Sequence, residues 1–366
     1  MEHYIKGRAS VIIDGQFGST GKGLLAAWIA THQPNEWVVH TTNAAPNAGH
    51  TTCWADGRKL TLFHLPTGGV LRRQPCYLNA GSIIDLELLE QELITARKFS
   101  GDSLPVTVHP NAAILLPEDM QYENRDNSAQ TTIASTRKGV GRALARKVMR
   151  EANVAIKFTD RLHQMGCGVG VPFFAFRDGL TPLSIEVPQG VGLSLNNSGF
   201  YPYCTSREIS VAQALSDAFV HPSRLGHTVM SVRTYPIRVG NVEGGSSGHA
   251  YFGQGELDWR NLPVDQPELT TVTKRPRRIF AWSDGQYKHG LIACRPDMVF
   301  LNFVNYYHET AQLVAQIDRM ERMEKEILGA VVPKIFGLGP NIEDVVVGLD
   351  NAHVALRNIL NERAPS

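Results

Sequence analysis

A glycine-rich segment near the start of the chain, residues 15–24, most constrains what this sequence can fold into. It follows an apolar, β-branched run at residues 9–13 and precedes the helix-compatible residues 24–29. This order predicts a strand, a tight turn and a helix N-terminus, where backbone N–H groups and the helix dipole attract an anion. Lys22 adds a positive charge suited to a β- or γ-phosphate. The segment therefore predicts a phosphate-binding loop.

The loop departs from the common phosphate-binding pattern in two ways. Five residues separate Gly15 from Gly21, where the Walker A pattern has four, and Gly23 follows Lys22 in place of Ser or Thr. A bound metal would therefore need ligands from elsewhere. Two other interpretations remain open at this point, a plain tight turn and a dinucleotide-binding turn, although no G-x-G-x-x-G register fits cleanly.

Composition indicates a folded protein with ample core. The chain has 366 residues, of which 43% are hydrophobic and 19% charged, enough for one large or two moderate domains. The net charge of +1 argues against a generally basic surface, so no nucleic-acid partner is expected. Five cysteines without a C-x-x-C pair favour a reduced, intracellular protein without structural zinc. With no signal-peptide core and no apolar run of transmembrane length, we expect a soluble chain with no membrane partner.

Strand-like and helical patterns alternate along the chain, which predicts an α/β fold with a largely parallel sheet. Four of the predicted strands lie at residues 37–42, 106–108, 112–116 and 299–304. Apolar residues at three- and four-residue spacing predict two helices, one with Ile84, Leu88, Leu89 and Leu93 and one across residues 313–328 with Met320 in the core. Residues 240–255, rich in Gly and Ser, are expected to form a mobile loop of the kind that closes over substrates.

Further segments, in the same order along the chain, resemble motifs of the adenylosuccinate synthetase family. The end of the glycine-rich loop, residues 18–23, resembles the family's G-D-E-G-K-G, and residues 47–51 match its N-A-G-H-T. Arg150 is placed like the arginine that the family donates across its dimer interface. Other similar segments are residues 133–141, 187–190, 201–206, 238–240, 273–278 and 339–341. The resemblance spans about residues 8–345, and the collinear motifs are far more specific together than any one alone.

The resemblance implies a fold, an activity and an assembly. The family has a single elaborated α/β domain, here residues 1–366, with a largely parallel central sheet, helices on both faces and substrate-closing loops. It joins L-aspartate to the 6-position of a purine nucleotide, using a nucleoside triphosphate and Mg²⁺. The resemblance further implies a homodimer that shares Arg150 across its interface, and a cytoplasmic location, which is the host cytoplasm for a viral chain.

Residue roles follow from the resemblance. It implies catalytic roles for Ser19, His50 and Lys22, L-aspartate binding by Thr273 and Arg275, and contact of Arg277 with both nucleotides. The phosphate and ATP site would comprise Gly18, Thr20, Gly21, Lys22, Gly23, Thr51, Asn305, Gly339 and Pro340. The acceptor-nucleotide site would comprise Ser19, Asn47, Ser135, Thr136, Arg150, Gln189, Thr205, Val239 and Gly240. The Mg²⁺ ligand would be the backbone carbonyl of Gly49, with Ser19 as a second candidate.

Two of these roles have plain structural alternatives. A lone histidine is more often structural, but within N-A-G-H-T His50 is well suited to hydrogen-bond the transferring phosphoryl group and the 6-oxygen. The charge run at residues 274–278 could be a solvated basic loop. Within the family frame we favour capture of the aspartate carboxylates by Arg275, with help from Thr273.

The loop lacks the family's acidic pair, and this departure points to the substrate. Ser19 replaces the aspartate that takes the N1 proton of a 6-oxopurine and ligates Mg²⁺, and Thr20 replaces the following glutamate. Neither is a base at neutral pH. One interpretation is an inactive enzyme. We favour a changed acceptor, because a purine 2-amino group would collide with a carboxylate, whereas the serine hydroxyl leaves room and accepts its hydrogen bond.

A guanine nucleotide is therefore the expected acceptor. The serine also occurs in bacteriophage relatives, the 2-aminoadenylosuccinate synthetases, which use dGMP, and the chain most resembles that branch. The group that takes the N1 proton stays open. Asp14, at the end of the first strand, is a possible carboxylate, but an aspartate there also suits turn chemistry.

A second departure concerns the phosphoryl donor. Where the family reads the guanine of GTP with T-K-L-D, the nearest match is residues 301–305. Asn305 offers a donor and an acceptor, which suits an adenine edge, and Phe303 would form an apolar wall, so ATP or dATP is the expected donor. The alternative is an ordinary strand in which Asn305 makes its hydrogen bonds within the protein. Two rival functions also stay open, an adenylosuccinate synthetase acting on IMP and a non-catalytic nucleotide-binding protein.

Overall fold

A ten-stranded sheet organises the chain in the computed structural model, which describes residues 2–33, 36–101, 104–125, 129–171, 180–270 and 274–363. The strands of this sheet follow the order β17-β16-β15-β11-β1-β10-β2-β5-β7-β9. All neighbouring strands in it are parallel except β16 and β17. Their bounds are β1 Ala9–Asp14, β2 Val39–Thr42, β5 Cys76–Leu78, β7 Val106–Val108, β9 Cys167–Val169, β10 Leu183–Gly190, β11 Leu225–Arg233, β15 Met298–Asn302, β16 Lys334–Gly337 and β17 Val345–Val347. The predicted α/β class with a largely parallel sheet is confirmed.

Three small sheets lie outside this central one. Their strands are β3 His50–Cys53 and β4 Lys59–Leu62, which form a hairpin, β6 Ile83–Ile84 with β8 Ala113–Ile114, and β12 Ile237–Arg238, β14 Arg278–Phe280 and β13 Glu256–Leu257. The α-helices of the described chain are α1 Lys22–His32, α2 Thr67–Arg72, α3 Leu86–Ser100, α4 Pro117–Glu123, α5 Ala129–Thr132, α6 Val140–Val148, α7 Thr159–Gln164, α8 Val211–Asp217, α9 Asp284–Cys294, α10 Thr310–Leu328 and α11 Leu349–Arg363.

Helices cover both faces of the sheet, as predicted. Successive side chains of a strand point to opposite faces, and β1 shows the result. Ile12 packs in one core cluster with Leu25 of α1, whereas Val11 and Ile13 pack in another with residues of α8, α9, α10 and α11. Both faces of β1 are buried, which agrees with the apolar residues Val11, Ile12 and Ile13 that follow one another in its centre without alternation.

The predicted elements agree with the structure to different degrees. The strand at 106–108 is confirmed to the residue, and the strand at 112–116 shortens to β8. The strand predicted at 37–42 begins at Val39, and Trp37 is 61% exposed. The strand predicted at 299–304 ends at Asn302, because Phe303 turns the chain with a φ of 61°.

The helical predictions hold with one correction. Ile84 lies in β6 and not in a helix, because Asp85 caps α3 by accepting a hydrogen bond from the Leu88 N–H at 3.1 Å. The long helix predicted at 313–328 is confirmed as α10, and Met320 is buried in the core as expected.

All five cysteines are free thiols. Across the described residues, every helix is too short or too polar to traverse a bilayer.

The candidate site residues gather at the carboxyl edge of the sheet. The central strand β1 ends at Asp14, its neighbours β10 and β11 end at Gly190 and Arg233, and β15 ends at Asn302. In open α/β sheets ligands bind outside the carboxyl ends of the strands. The topology therefore places the glycine-rich loop at the usual position of a ligand site.

Asn302 fastens this loop to the sheet. Its buried amide donates to the Thr20 carbonyl at 3.1 Å and accepts from the Phe303 N–H at 2.8 Å. A Cβ on Gly21 or on Gly337 would lie 2.0 Å or 2.1 Å from this amide. Gly21 also has a φ of 88°, so glycine is required there for two reasons.

We expect Asn302→Ala to lower the free energy of unfolding by ~1–3 kcal/mol, because it leaves a buried carbonyl and N–H unpaired. Chemical denaturation measures this loss. The matched control is Asn351→Ala, since the Asn351 amide donates to the Val347 carbonyl at 2.8 Å on the surface, and its effect should stay within about 0.5 kcal/mol. Equal losses in the two variants would contradict the anchoring role.

Candidate active site

The Asp14 carboxylate organises the glycine-rich loop. It is completely buried and accepts hydrogen bonds from the Gln16 N–H at 2.7 Å, the Gly18 N–H at 3.2 Å and the Thr20 hydroxyl at 2.5 Å. The Lys22 ammonium lies 3.2 Å from the same carboxylate. Of the two possibilities for Asp14, the structure favours turn chemistry, because all of these partners belong to the loop itself.

Two residues of the predicted phosphate site bond to the loop's own carboxylate in this structure. The Gly18 N–H points at Asp14, and the Thr20 side chain is turned into the core, where its hydroxyl bonds Asp14 and Ser231. Neither of these two groups is directed at a phosphate outside the loop. The start of α1 remains suited to an anion, because in the described structure no side chain caps this helix, whose N-cap is Gly21.

Ser19 is the exposed residue of the loop. Its φ is 56°, and this left-handed conformation turns its side chain outward while Thr20 turns inward. The Ser19 carbonyl accepts a hydrogen bond from Arg233 Nη1 at 3.2 Å. The position at which the family carries its catalytic aspartate is therefore directed away from the core.

Lys22 and Gln189 are brought together at this edge of the sheet. Lys22 Nζ donates to the Gln189 carbonyl at 2.8 Å, and its side chain is almost fully buried. The backbone of β10 touches the loop here, since a Cβ on Gly190 would lie 2.4 Å from the Gln16 carbonyl oxygen and 2.5 Å from the Gly18 nitrogen. The contact places Gln189 beside the loop lysine.

The β3–β4 hairpin brings His50 and Thr51 to the start of α1. A Cβ on Gly23 would lie 2.9 Å from the Thr51 carbonyl oxygen and 3.2 Å from the His50 Cβ, so only glycine permits this approach. The Thr52 hydroxyl donates to the Gly23 carbonyl at 3.1 Å. The Thr51 hydroxyl, in contrast, pairs with the hydroxyl of Thr61 across the hairpin at 3.1 Å.

His50 is neutral at pH 7 in this environment. Burial, and to a smaller extent the nearby Lys22 charge, lowers the pKa of His50 to about 3. A neutral imidazole carries one N–H donor and one acceptor nitrogen. His50 can therefore donate a hydrogen bond to an oxygen atom that gains negative charge beside the loop.

Unpaired buried polar atoms mark part of the predicted acceptor-nucleotide site. Among the residues that the structure describes, Asn47 Oδ1 and the Thr205 hydroxyl are buried without a hydrogen-bond partner. A buried polar atom without a hydrogen-bond partner destabilises the folded state unless a ligand or a water molecule bonds to it. In the predicted segment of residues 133–141, the Ser135 hydroxyl accepts a hydrogen bond from the Arg137 N–H at 3.2 Å. Thr136 lies between these two residues.

A cavity of about 600 Å³ lies along the basic loop, bounded by Gly240 beyond Val239 and by Arg275, Arg277 and Arg278. Gly240 is in backbone contact with this loop, because a Cβ there would lie 2.3 Å from the Pro276 carbonyl oxygen. The predicted acceptor and aspartate segments are therefore adjacent.

The arginines of this cavity differ in how they are paired. Arg278 holds Glu256 with two hydrogen bonds of 2.8 Å and 2.6 Å, and Arg277 lies 3.9 Å from Glu268. Burial lowers the pKa of Arg277 to about 10, so it stays charged at neutral pH. Within the described ranges Arg275 has no carboxylate partner, which leaves its guanidinium for a ligand. Thr273 lies outside the described residues.

The predicted donor-base residues lie on a turn and not on a strand. Asn305 belongs to a short 3₁₀ turn, Val304–Tyr306, and its carbonyl accepts from Arg363 Nη1 at 2.8 Å. The Phe303 ring covers the Arg233 guanidinium at 3.7 Å. Gly339 and Pro340, which are predicted to belong to the phosphate and ATP site, follow β16. The next residue, Asn341, forms a β-bridge with Cys53 at the end of β3. This bridge places Gly339 and Pro340 near the hairpin of His50.

Arg150 lies apart from these residues. It is exposed just after α6, and its neighbours Val148 and Met149 are 73% and 67% exposed. The structure therefore does not bring Arg150 into the site of its own chain. Sequence reasoning missed three residues of the site, the buried Arg233 and Asn302 and the half-buried Glu268, because their partners are distant in sequence and no motif marks them.

Comparisons with known proteins show which chains this one is similar to. The family model described as adenylosuccinate synthetase matches residues 11–167. The N6-succino-2-amino-2'-deoxyadenylate synthase of Salmonella phage PMBT28 is 35% identical over 94% of this chain and 98% of its own. The synthase of the same name from Vibrio phage phiVC8 is 36% identical over 92% of this chain and 96% of its own.

A solved structure shows the same fold over the whole chain. It is the succinoaminodeoxyadenylate synthetase of cyanophage S-2L, bound to dGMP and to dATP as an energy donor. The two chains superpose with a TM-score of 0.84 at 31% identity, over 98% of this chain and all of the other. The chain therefore belongs to the adenylosuccinate synthetase family, together with the phage N6-succino-2-amino-2'-deoxyadenylate synthases.

Proposed function

We propose that this chain is a ligase that joins L-aspartate to C6 of dGMP, driven by hydrolysis of ATP or dATP to its diphosphate and phosphate. The observation that carries the proposal is the exposed Ser19 at the apex of a loop whose buried carboxylate, Asp14, is committed to the loop itself. The phage relatives are named for the product of this reaction, and the cyanophage enzyme binds dGMP and dATP.

Ser19 suits a purine that carries a 2-amino group. An outward aspartate at this position would bring a carboxylate against N1 and C2 of the base, which fits a purine with hydrogen at C2. A serine hydroxyl is smaller and accepts a hydrogen bond from the amine. The conformation of the loop does not depend on an acidic residue at position 19, because the Asp14 carboxylate already stabilises the loop through its hydrogen bonds.

The reaction needs two displacements, the first at the γ-phosphorus of the donor and the second at C6 of the purine. The 6-oxygen of dGMP attacks the γ-phosphorus of the donor, the bond to the β-phosphate oxygen breaks and the N1 proton is lost. The amine of L-aspartate then attacks C6, phosphate leaves and a proton is released from the nitrogen. We assign the transferring phosphate to Lys22 and the start of α1, and a hydrogen bond to the developing charge to the neutral His50.

Magnesium would serve this site through oxygen ligands. No cluster of three His, Cys, Asp or Glu side chains that could hold a metal lies within the described ranges. This fits Mg²⁺, which usually rests on one or two protein oxygens and on substrate phosphates. The Gly49 carbonyl, next to His50, and the Ser19 hydroxyl are the groups that would hold it, and the ion would neutralise phosphate charge.

The remaining assignments are proposals of the same kind. L-aspartate would bind at Arg275, the donor base would lie near Phe303 and Asn305, and Gly339 and Pro340 would border the donor phosphates. We further propose that residues 1–366 form one domain, that the enzyme acts in the cytoplasm, and that it is a homodimer. The exposed Val148 and Met149 beside Arg150 support a surface that a second subunit covers.

The proposal is tested by assaying IMP, GMP and dGMP with L-aspartate and ATP or dATP, in the wild type and in Ser19→Asp. The wild type should convert dGMP with the highest kcat/KM. Ser19→Asp should lower kcat/KM for dGMP by at least about tenfold, because a misfitted polar group costs roughly 1–3 kcal/mol. The same change should raise the value for IMP, since it restores an N1 base.

Preference of the wild type for IMP would support an ordinary adenylosuccinate synthetase, and turnover of none of the three would support a nucleotide-binding protein. If Ser19→Asp leaves dGMP turnover unchanged, Ser19 does not face C2 of the base. Denaturation midpoints of both proteins control for a loss of folding.

Arg275→Ala should raise the KM for L-aspartate by about tenfold or more, because it removes one cation of the carboxylate clamp. The KM for dGMP should change little. Arg260→Ala is the control, since the Arg260 side chain is 88% exposed and pairs with Asp258 near the rim. Initial rates at varied L-aspartate measure both. An unchanged KM in Arg275→Ala would move the role to another arginine.

Arg150 should complete the acceptor-phosphate site of the neighbouring subunit in a two-fold symmetric dimer. Arg150→Ala and Lys22→Ala should each be inactive, and their mixture should regain about one quarter of wild-type activity, since random pairing of a two-fold dimer leaves half the subunits in mixed dimers with one intact site each. Analytical ultracentrifugation establishes the dimer, and labelled subunits establish the exchange. Full exchange without recovery of activity would refute a shared site.

A further inference from the structure

The fully buried Arg233 contacts the glycine-rich loop at two positions. Near the start of the loop, the Arg233 backbone N–H donates to Gln16 Oε1 at 2.9 Å, and its carbonyl accepts from Gln16 Nε2 at 3.2 Å. Its side chain reaches the apex of the loop, where Nη1 donates to the Ser19 carbonyl at 3.2 Å. The position of Ser19 therefore depends on where this guanidinium lies.

Glu268 fixes the guanidinium from the side of the basic loop. Its carboxylate accepts from Arg233 Nη1 at 3.1 Å and from Nη2 at 2.5 Å, and the Tyr306 hydroxyl donates to it at 2.8 Å. Burial alone would raise the pKa of Glu268, but the charge and hydrogen bonds of Arg233 hold it below the usual value. The carboxylate is therefore ionised at neutral pH.

Glu268 also starts the segment that carries Arg275 and Arg277. Its backbone carbonyl accepts from the Arg277 N–H at 2.8 Å, and Arg277 Nε lies 3.9 Å from its carboxylate. Two residues later, Thr270 accepts from the Arg275 N–H at 2.9 Å through its hydroxyl. A shift of Glu268 would therefore move the backbone that presents Arg275.

The third contact of Arg233 is with the proposed donor-base segment. The guanidinium carbon lies 3.7 Å from the centre of the Phe303 ring, and the Thr234 hydroxyl donates to the Phe303 carbonyl at 2.8 Å. A planar guanidinium can stack on a ring, hold a carboxylate with two bonds and donate to a carbonyl at the same time. A lysine ammonium cannot do all three.

We propose that Arg233 and Glu268 are positioning residues that couple L-aspartate binding at Arg275 to nucleotide binding at the Ser19 loop. The inference rests on the proposed function and adds to it. Neither side chain is assigned a contact with a substrate. The pair acts through the Ser19 carbonyl on one side and, on the other, through the backbone contacts that join residues 268–270 to residues 275–277.

A buried ion pair with only a stabilising role is the competing explanation, and the chain offers a matched control for it. Glu324 is fully buried, Lys334 Nζ lies 3.0 Å from its carboxylate, and the Tyr287 hydroxyl donates to it at 2.6 Å. Like Glu268, Glu324 is paired with one cationic side chain and with one tyrosine hydroxyl. Lys334 begins β16, so these three residues lie at the opposite edge of the sheet.

The test compares Glu268→Gln and Arg233→Lys with Glu324→Gln in the full chain. Glu268→Gln and Arg233→Lys should each raise the KM for L-aspartate by about tenfold, with a smaller change in the KM for dGMP. Glu324→Gln should leave the KM for L-aspartate within about twofold of the wild type while lowering Tm at least as much as Glu268→Gln does.

Calorimetry gives a readout that does not depend on turnover. Without a phosphoryl donor, saturating L-aspartate should lower the Kd of the wild type for dGMP by about fivefold or more, since coupling between sites is reciprocal. Glu268→Gln and Arg233→Lys should reduce this factor to near one, and Glu324→Gln should retain it. Should Glu268→Gln fail to fold, Tyr306→Phe removes one hydrogen bond to Glu268 and should raise the KM for L-aspartate about twofold to fivefold.

The outcomes separate this inference from the proposed function. A wild type that converts no dGMP overturns the proposed function and the coupling with it. A wild type that converts dGMP, with an unchanged KM for L-aspartate and unchanged coupling in Glu268→Gln, overturns the inference alone. Equal effects of Glu268→Gln and Glu324→Gln on both quantities would show that the ion pair serves stability only.

Discussion

The site depends on one buried carboxylate at the end of the central strand. Asp14 gathers two backbone N–H groups, one hydroxyl and the Lys22 ammonium of the segment that follows it. A buried charge is tolerated only when it is paired and hydrogen-bonded, so the loop has to close around Asp14 for the strand to fold where it does. The glycine-rich loop is consequently shaped before any ligand arrives, which lowers the conformational cost of binding.

Around this centre, glycines let other segments approach the loop and the first helix closely. Gly23 lets the hairpin of His50 touch the first helix, Gly190 lets the neighbouring strand touch the loop, and Gly21 makes room for Asn302. Each contact would be lost with a single added carbon. The result is a set of loops held at the sheet edge, where, among the described residues, Asn47 Oδ1 and the Thr205 hydroxyl are unpaired and can bond to a ligand.

Local patterns predicted the parts of the fold that are themselves local. The turn between β1 and α1 follows from its glycines and its apolar flanks, and α10 follows from its spacing. The outward turn of Ser19 and the inward turn of Thr20 depend on backbone dihedral angles that residue types do not specify. Arg233 lies 214 residues from the loop carbonyl it binds, and only the strand order of the sheet brings the two together.

The contrast between Ser19 and Thr20 has an evolutionary consequence. Thr20 is bound into the core, so its replacement would disturb the loop, whereas the side chain of Ser19 is exposed and only its carbonyl is held. A codon change at position 19 can therefore alter the charge at the exposed apex of the loop without unpacking the scaffold beneath it. Under the proposed function, a lineage with this loop exchanges one purine acceptor for another without rebuilding the loop.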